Sequence, residues 1–277
     1  FRDSIKAIHN GADDNASGTA VMLDLARKLN NTNTNNNYLF IAFSGEEMGL
    51  LGSNYFVKNP TINTKAVSYM INMDMVGKMK ADSTLAVYGV GTSPMFKQTL
   101  TANNNSFKLI ENESGVGPSD HTSFYLQNIP VLHFFSGQHS DYHKPADDPE
   151  TINYSGILSI SDYMLALIEK LDNEGRIEFT ETKNEDNGRS AASFKVTLGV
   201  MPDYVYGGTG MRIDSAIEGR PGQVAGLKGG DVILQIGDVA VKDIYDYMDG
   251  LAKFKKGESA TVKILRGEEE MEVEVTF

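Results

Sequence analysis

Not one cysteine occurs among the 277 residues, which removes disulfides, thiolate zinc sites and a cysteine nucleophile together. Any metal held by this chain must therefore sit on His, Asp and Glu. Basic charge is also scarce: 25 Lys and Arg stand against 37 Asp and Glu, a formal net charge of −12. Nucleic acid and anionic membranes both require a basic footprint, so neither is expected as a partner. No apolar run reaches the roughly 18 residues of a membrane span, and no signal-like stretch opens the chain. Long-period repeats are missing too, and the Asn-rich run from Asn30 to Asn37 is the one low-complexity patch. The first residue is Phe1 rather than methionine, which fits a fragment or a processed product and leaves the location of the parent protein open.

With 40% apolar and 22% charged residues, the composition is that of an ordinary globular protein. Its length favours two cores over one. Val21, Leu25 and Leu29 recur at helical spacing, predicting a helix over 17–29. Tyr38–Phe43 is a short continuous apolar run, the mark of a strand buried on both faces. Further strands are expected over 66–73, 84–90 and 129–135, with helices over 49–58, 94–102, 119–127 and 153–171. Strands alternating with helices predict an α/β domain, a mostly parallel twisted sheet sandwiched by helices, over 1–171. A polar linker is expected over 172–192, followed over 193–277 by a small β-rich domain with strands at 196–200, 232–236, 261–265 and 271–275 and one helix near 244–254. Sites in parallel sheets lie beyond the carboxyl ends of the strands, which is where Glu46, Glu47 and Asp74 fall.

Four local contexts carry carboxylates and one histidine: N-G-A-D-D-N-A-S-G at 10–18, F-S-G-E-E at 43–47, N-M-D-M-V-G at 72–77 and D-Y-H-K-P-A-D-D at 141–148. Zinc accepts imidazole nitrogen and carboxylate oxygen, and a catalytic zinc keeps one position open. Neighbouring glutamates at a strand end point different ways, so one can bind metal while the other accepts a proton from water. Singly, such an acid is usually a solvated loop residue or a helix cap, and Asp13 or Asp14 could cap the helix that follows. Four in order, each at the place where an α/β site belongs, make coincidence a poor account. His133, inside an apolar run, reads as a buried core residue; His9 and His139 read as loop residues; His121 is as consistent with lining a pocket as with not.

Together these motifs resemble the co-catalytic zinc peptidase family that includes bacterial aminopeptidases, glutamate carboxypeptidase and the catalytically dead transferrin receptor, over about the first 170 residues. The resemblance implies a zinc-dependent aminopeptidase acting on peptide substrates. It makes Asp14 the carboxylate bridging two zinc ions, Glu46 the general base, Glu47 and His143 ligands of one zinc, Asp74 a ligand of the other, and Tyr142 a donor to the oxyanion. It also implies a further zinc histidine from an H-x-D motif upstream of Asn10, which this chain does not contain. Two zinc ions are therefore expected in the intact protein and one or none here, where Asp14, Glu47 and His143 complete one position while Asp14 and Asp74 stand alone at the other. A single-zinc glutaminyl cyclase and a non-catalytic binding protein are the alternatives. Export to the periplasm, the cell envelope or the medium is a further implication of the resemblance.

Beyond residue 193, V-T-L-G-V at 196–200 and G-L-K-G-G-D-V-I-L-Q-I at 226–236 resemble a bacterial PDZ domain. That resemblance implies a loop at Leu198, Gly199 and Val200 whose N–H groups receive a peptide C-terminal carboxylate, with a helix from Ile244, capped by Asp243, as the opposite wall. The competing reading is a module that only supports the peptidase or mediates assembly.

Overall fold

The computed structural model describes residues 7–30, 32, 34–182, 196–203, 206 and 208–277. It divides the chain into two compact units, the first reaching Asn184 and the second beginning at Glu185, with Gln138–Ser140 grouped apart from their neighbours. Of the expected linker over 172–192, residues 183–192 lie outside the described residues.

The first unit is built on four strands, β1 (Met70–Met73), β2 (Thr84–Tyr88), β3 (Lys108–Asn112) and β4 (Val131–Phe135), in the order β1-β4-β2-β3. The β1–β4 and β2–β3 pairs are parallel and the β4–β2 pair is antiparallel. In β4 successive side chains serve opposite faces. Leu132 and Phe134 join one apolar cluster and Val131 another, so every residue of the strand is buried, as its uninterrupted apolar sequence requires. Helices α1 (Gly18–Leu29), α3 (Pro94–Asn103) and α5 (Tyr154–Asp172) bring Val21, Leu25, Phe96, Leu100, Ile160, Met164, Leu167 and Leu171 to the first cluster. Each large side chain so buried contributes about 1.5–3 kcal/mol of transfer free energy. Helices α2 (Leu51–Lys58) and α4 (His121–Tyr125) carry Val57, Phe124 and Tyr125 to the second cluster. The ends of the helices follow local chemistry. Ser93 accepts from Met95 N–H with Pro94 in the first turn of α3, and Asn153 accepts from Gly156 N–H at the start of α5.

The segment 38–43 departs from expectation. It forms no strand ladder, and Leu39 and Phe40 are 56% and 39% exposed. Its apolar run asks for neighbours on both edges, yet β1 pairs only with β4 among the described residues. Between this segment and β1 lies an open groove of about 650 Å³ lined by Tyr38, Ile41, Phe43, Val67 and Met70.

After α5 the chain turns back over the first unit. Ile177 N–H donates to Ser68 Oγ and Thr180 N–H to Thr92 O. Thr182 makes three hydrogen bonds with the Tyr125 hydroxyl, through its N–H, its carbonyl and its own hydroxyl, and accepts from Gly115 N–H through that hydroxyl.

The second unit is an antiparallel sheet, β5 (Val200–Pro202), β6 (Met211–Ala216), β7 (Val232–Ile236), β9 (Ser259–Arg266) and β10 (Glu269–Thr276), in the order β10-β9-β7-β6-β5, with β8 (Val239–Ala240) paired to β7. Helices α6 (Pro221–Val224) and α7 (Ile244–Ala252) complete it, and Asp243 caps α7 by accepting from Asp246 N–H at 3.0 Å. Leu198, Ile213, Ile233, Ile236, Val262 and Ile264 form its core. Asp231, 1% exposed, receives Arg266 Nε and Nη2, each at 2.7 Å, and Lys228 N–H at 2.9 Å. Asp231→Ala strands that guanidinium and N–H together. It is expected to destabilise this unit by about 2–4 kcal/mol, part of the full cost of breaking a buried pair because Arg266 is itself partly solvated. Urea unfolding followed by a probe within 196–277 checks this, and an unchanged midpoint would contradict it.

Candidate metal centre

The parallel pairing of β1 and β4 places their carboxyl ends side by side, and the acidic motifs meet there. Asp74 follows β1, its N–H donating to Phe134 O at 3.3 Å. His143 lies in the loop beyond β4, and Glu46 and Glu47 open a single 3-10 turn, Glu46–Met48, after the extended segment 38–43. Asp14 sits in the irregular turn Ala12–Ser17 ahead of α1, where neither Asp13 nor Asp14 makes a capping bond to the helix. The capping reading of these aspartates is thereby removed.

His143 Nε2 stands 2.7 Å from Glu47 Oε1 and 3.1 Å from Asp14 Oδ2. One potential ligand atom from each of the three lies within 4.8 Å of the others, the only such group of three among the described residues. Asp14, Glu46, Glu47, Asp74 and Tyr142 line one cavity of about 340 Å³, together with Leu50, Met75 and Pro118. Tyr142 stacks on the His143 ring with centroids 3.7 Å apart. All six residues expected from the first module are thus brought together.

Electrostatics separate them. Burial, then the charges of Asp74, Glu47, Asp120 and Asp14, push the Glu46 carboxyl up to about 8. Burial raises Asp74 to about 7 against the opposing hydrogen bond from Ser119. Burial also raises Asp14. Glu47 is lowered, chiefly by its hydrogen bond to His143. His143 rises to about 9 through its bonds to Asp14 and Glu47. Without a cation, a proton on the imidazole offsets one of the two carboxylate charges. Two carboxylates and an imidazole that already converge on a proton form a donor set suited to Zn²⁺.

The placement of Asp14 depends on residues to which the sequence alone assigns no role. Asp147, 2% exposed, accepts from the N–H groups of both Asp13 and Asp14 at 3.0–3.1 Å. Its own backbone oxygen receives Ala12 N–H at 3.0 Å. Lys78 Nζ bridges Asp141 at 2.9 Å and Asp147 at 3.7 Å, tying both ends of the His143 loop to the segment after β1. Asp13 Oδ1 in turn accepts from Gly77 N–H at 2.6 Å. A Cβ on Gly77 would lie 2.8 Å from that oxygen, which accounts for glycine at the end of N-M-D-M-V-G. The one available signal for Asp147 was its place four residues after His143 in the same motif.

The remaining histidines sort by burial. His133 is 3% exposed in β4, and His121 is fully enclosed rather than lining the cavity. His9 is exposed in the described amino-terminal loop, and His139 lies in the loop after β4. In the second unit Leu198 faces the core and Gly199 has φ +66°. The Gly199 N–H donates to Thr197 Oγ1 at 3.0 Å, so of the three loop residues expected to receive a carboxylate this one has its N–H already engaged.

Residues 2–168 match the model of peptidase family M28. The chain belongs to peptidase family M28. Residues 177–277 of this M28 peptidase chain match a PDZ domain. Over 169 residues it is 32% identical to aminopeptidase YwaD of Bacillus subtilis, an alignment that takes in 57% of this chain and 37% of the relative. A 75-residue stretch is 47% identical to a probable zinc metalloprotease of Pyrenophora tritici-repentis, covering 26% of the chain and 17% of that protein. The fold resembles the solved zinc aminopeptidase BSAP of Bacillus subtilis, with TM-score 0.53, 29% identity and coverage of 61% of this chain and 46% of that one. The M28 chain therefore spans less than half the length of each of these relatives. Among its described residues no helix is long and apolar enough to cross a membrane.

Proposed function

We propose that the first unit is the catalytic part of a zinc aminopeptidase, cleaving the peptide bond next to a free N-terminus. The observation that carries the reading is the convergence of Asp14, Glu47 and His143 within 4.8 Å, with Glu46 and Asp74 lining the same cavity. Asp14, Glu47 and His143 hold one ion, and Asp14 with Asp74 serves a second whose remaining ligand lies on a longer chain. When bound, zinc supplies a Lewis acid that polarises the scissile carbonyl and makes water a nucleophile at neutral pH. Glu46, held near pH 8 by its surroundings, accepts the proton of the attacking water and returns it to the leaving amine. Tyr142, at the rim of the cavity, donates to the developing oxyanion. In the second unit the edge of β5 beside Leu198–Val200, which pairs only with β6 among the described residues, receives an extended peptide, its carboxylate facing the loop.

Metal content and hydrolysis of aminoacyl-nitroanilides, measured on this chain and on a longer one reaching upstream, test the proposal. Two zinc ions and turnover in the longer chain are expected, with one ion or none and weak turnover here. One zinc in both, with cyclisation of N-terminal glutamine in place of cleavage, would favour the glutaminyl-cyclase reading. Neither metal nor cleavage in either would leave a binding protein.

A further inference from the structure

From Asp74 a chain of hydrogen bonds runs inward through buried side chains. Ser119 Oγ donates to Asp74 Oδ2 at 2.8 Å. Asn72 Nδ2 donates to Ser119 Oγ at 2.8 Å and lies 3.1 Å from His133 Nδ1. Asn72, Ser119 and His133 are all under a tenth exposed.

Donor arithmetic fixes the direction of this chain. An ionised Asp74 only accepts, so the single proton of Ser119 goes to it. Ser119 must then accept from Asn72, and the second amide proton of Asn72 goes to His133. His133 Nδ1 is therefore unprotonated, and the neutral ring carries its proton on Nε2. Burial enforces the neutral form, depressing His133 to about 3. The ring is clamped between aromatic neighbours: His121 stacks on it at 4.5 Å and 11°, and Tyr88 lies 5.5 Å away. Packing of that kind fixes the ring plane and with it the direction of the Nδ1 lone pair.

We propose that His133 is a positioning residue which, acting through Asn72 and Ser119, holds one carboxylate oxygen of Asp74 and leaves the other for the metal position. This rests on the reading of Asp74 as a zinc ligand. The histidine touches neither substrate nor metal. It supplies a fixed acceptor at the far end of the chain, without which the Asn72 amide turns and Ser119 loses the donor that aims its proton at Asp74. Outer partners of this kind commonly change metal affinity by about 10–100-fold.

The test compares His133→Phe, which keeps the aromatic packing and deletes the acceptor, with His133→Asn, whose side-chain oxygen falls near the place of Nδ1. Zn²⁺ affinity of the full-length protein is titrated against a chromophoric chelator, alongside kcat, KM and melting temperature. His133→Phe is expected to weaken one zinc position about 10–100-fold and to lower kcat with KM little changed, while His133→Asn recovers most of both. Ser119→Ala should match His133→Phe, and the double variant should be no worse than Ser119→Ala alone, because the chain is already broken. Wild-type zinc affinity in His133→Phe would overturn the proposal. So would equal losses in the Phe and Asn variants that track a fall in melting temperature, which would make His133 a packing residue only. Asp74→Asn separates the two levels: if it leaves both zinc affinities unchanged, the ligand reading of Asp74 fails, and the role of His133 with it.

Discussion

Glu46→Gln is expected to keep its zinc and lose turnover, with kcat falling about 10³- to 10⁴-fold and KM little changed. The amide has the shape of the carboxylate and no capacity to accept a proton, so the variant removes the base while sparing the cavity. Glu46 differs from its neighbour in kind. Glu47 is drawn below the ordinary glutamate range by His143, as suits a group that stays ionised and binds a cation. Burial and four nearby carboxylates raise Glu46, as suits a group that gains and loses a proton near neutrality. The loss corresponds to about 4–5.5 kcal/mol of transition-state stabilisation. Metal analysis beside steady-state kinetics on the same preparation decides the matter. A variant within tenfold of wild type would remove Glu46 from the base role, and one that loses zinc in proportion to activity would move it into the ligand set.

The second large effect concerns pH. In the metal-free protein Glu46 ionises near 8 against an ordinary 4.5, and Asp74 near 7 against 3.8. As pH rises between about 4 and 8, the unfolded chain gives up these protons first and the folded state pays to follow, so stability falls. His143 acts in the same sense. Its pKa, raised from 6.5 to about 9, contributes stability that is complete below 6.5 and lost as pH climbs through 9. Glu47, lowered in the folded state, opposes them: its contribution is present at neutral pH and lost in acid. The chelated protein should therefore melt at progressively lower temperature from about pH 5 to about pH 9. Zinc, which binds the deprotonated ligands, reverses this trend, and at a thousandfold excess over Kd it adds about 4 kcal/mol. Calorimetry with and without chelator should show a gap that widens with pH. A chelated protein as stable at the alkaline end as at the acid end would contradict the arrangement of charges.

The acidic motifs were readable in the sequence because each is short, so local order carried most of the information. Helices α1 and α5 were legible for a similar reason, since Val21, Leu25 and Leu29, or Ile160, Met164, Leu167 and Leu171, state their buried face by spacing alone. Strand β3 was missed because Lys108–Asn112 is an edge strand, half exposed, with Lys, Glu and Asn among its five residues. Tyr38–Phe43 shows the reverse error: an apolar run reports a demand for burial and cannot name the strands that would meet it. Asp147 escaped because it works through two backbone N–H groups more than 130 residues away, a relation that no residue pattern encodes. The engaged Gly199 N–H is of the same type, decided by the rotamer of Thr197 rather than by the glycine.

The return of residues 177–182 over the first unit has a consequence for how such chains can be recombined. The seam between modules, judged from composition, falls at the end of α5, where the text turns polar. Judged from bonds, it falls beyond Thr182, since Tyr125 and Gly115 take that threonine as their partner. A chimera joined at the first seam would hand the strap to the wrong parent and leave a hole beside the loop that leads to Ser119. One joined after Thr182 would carry each module away whole.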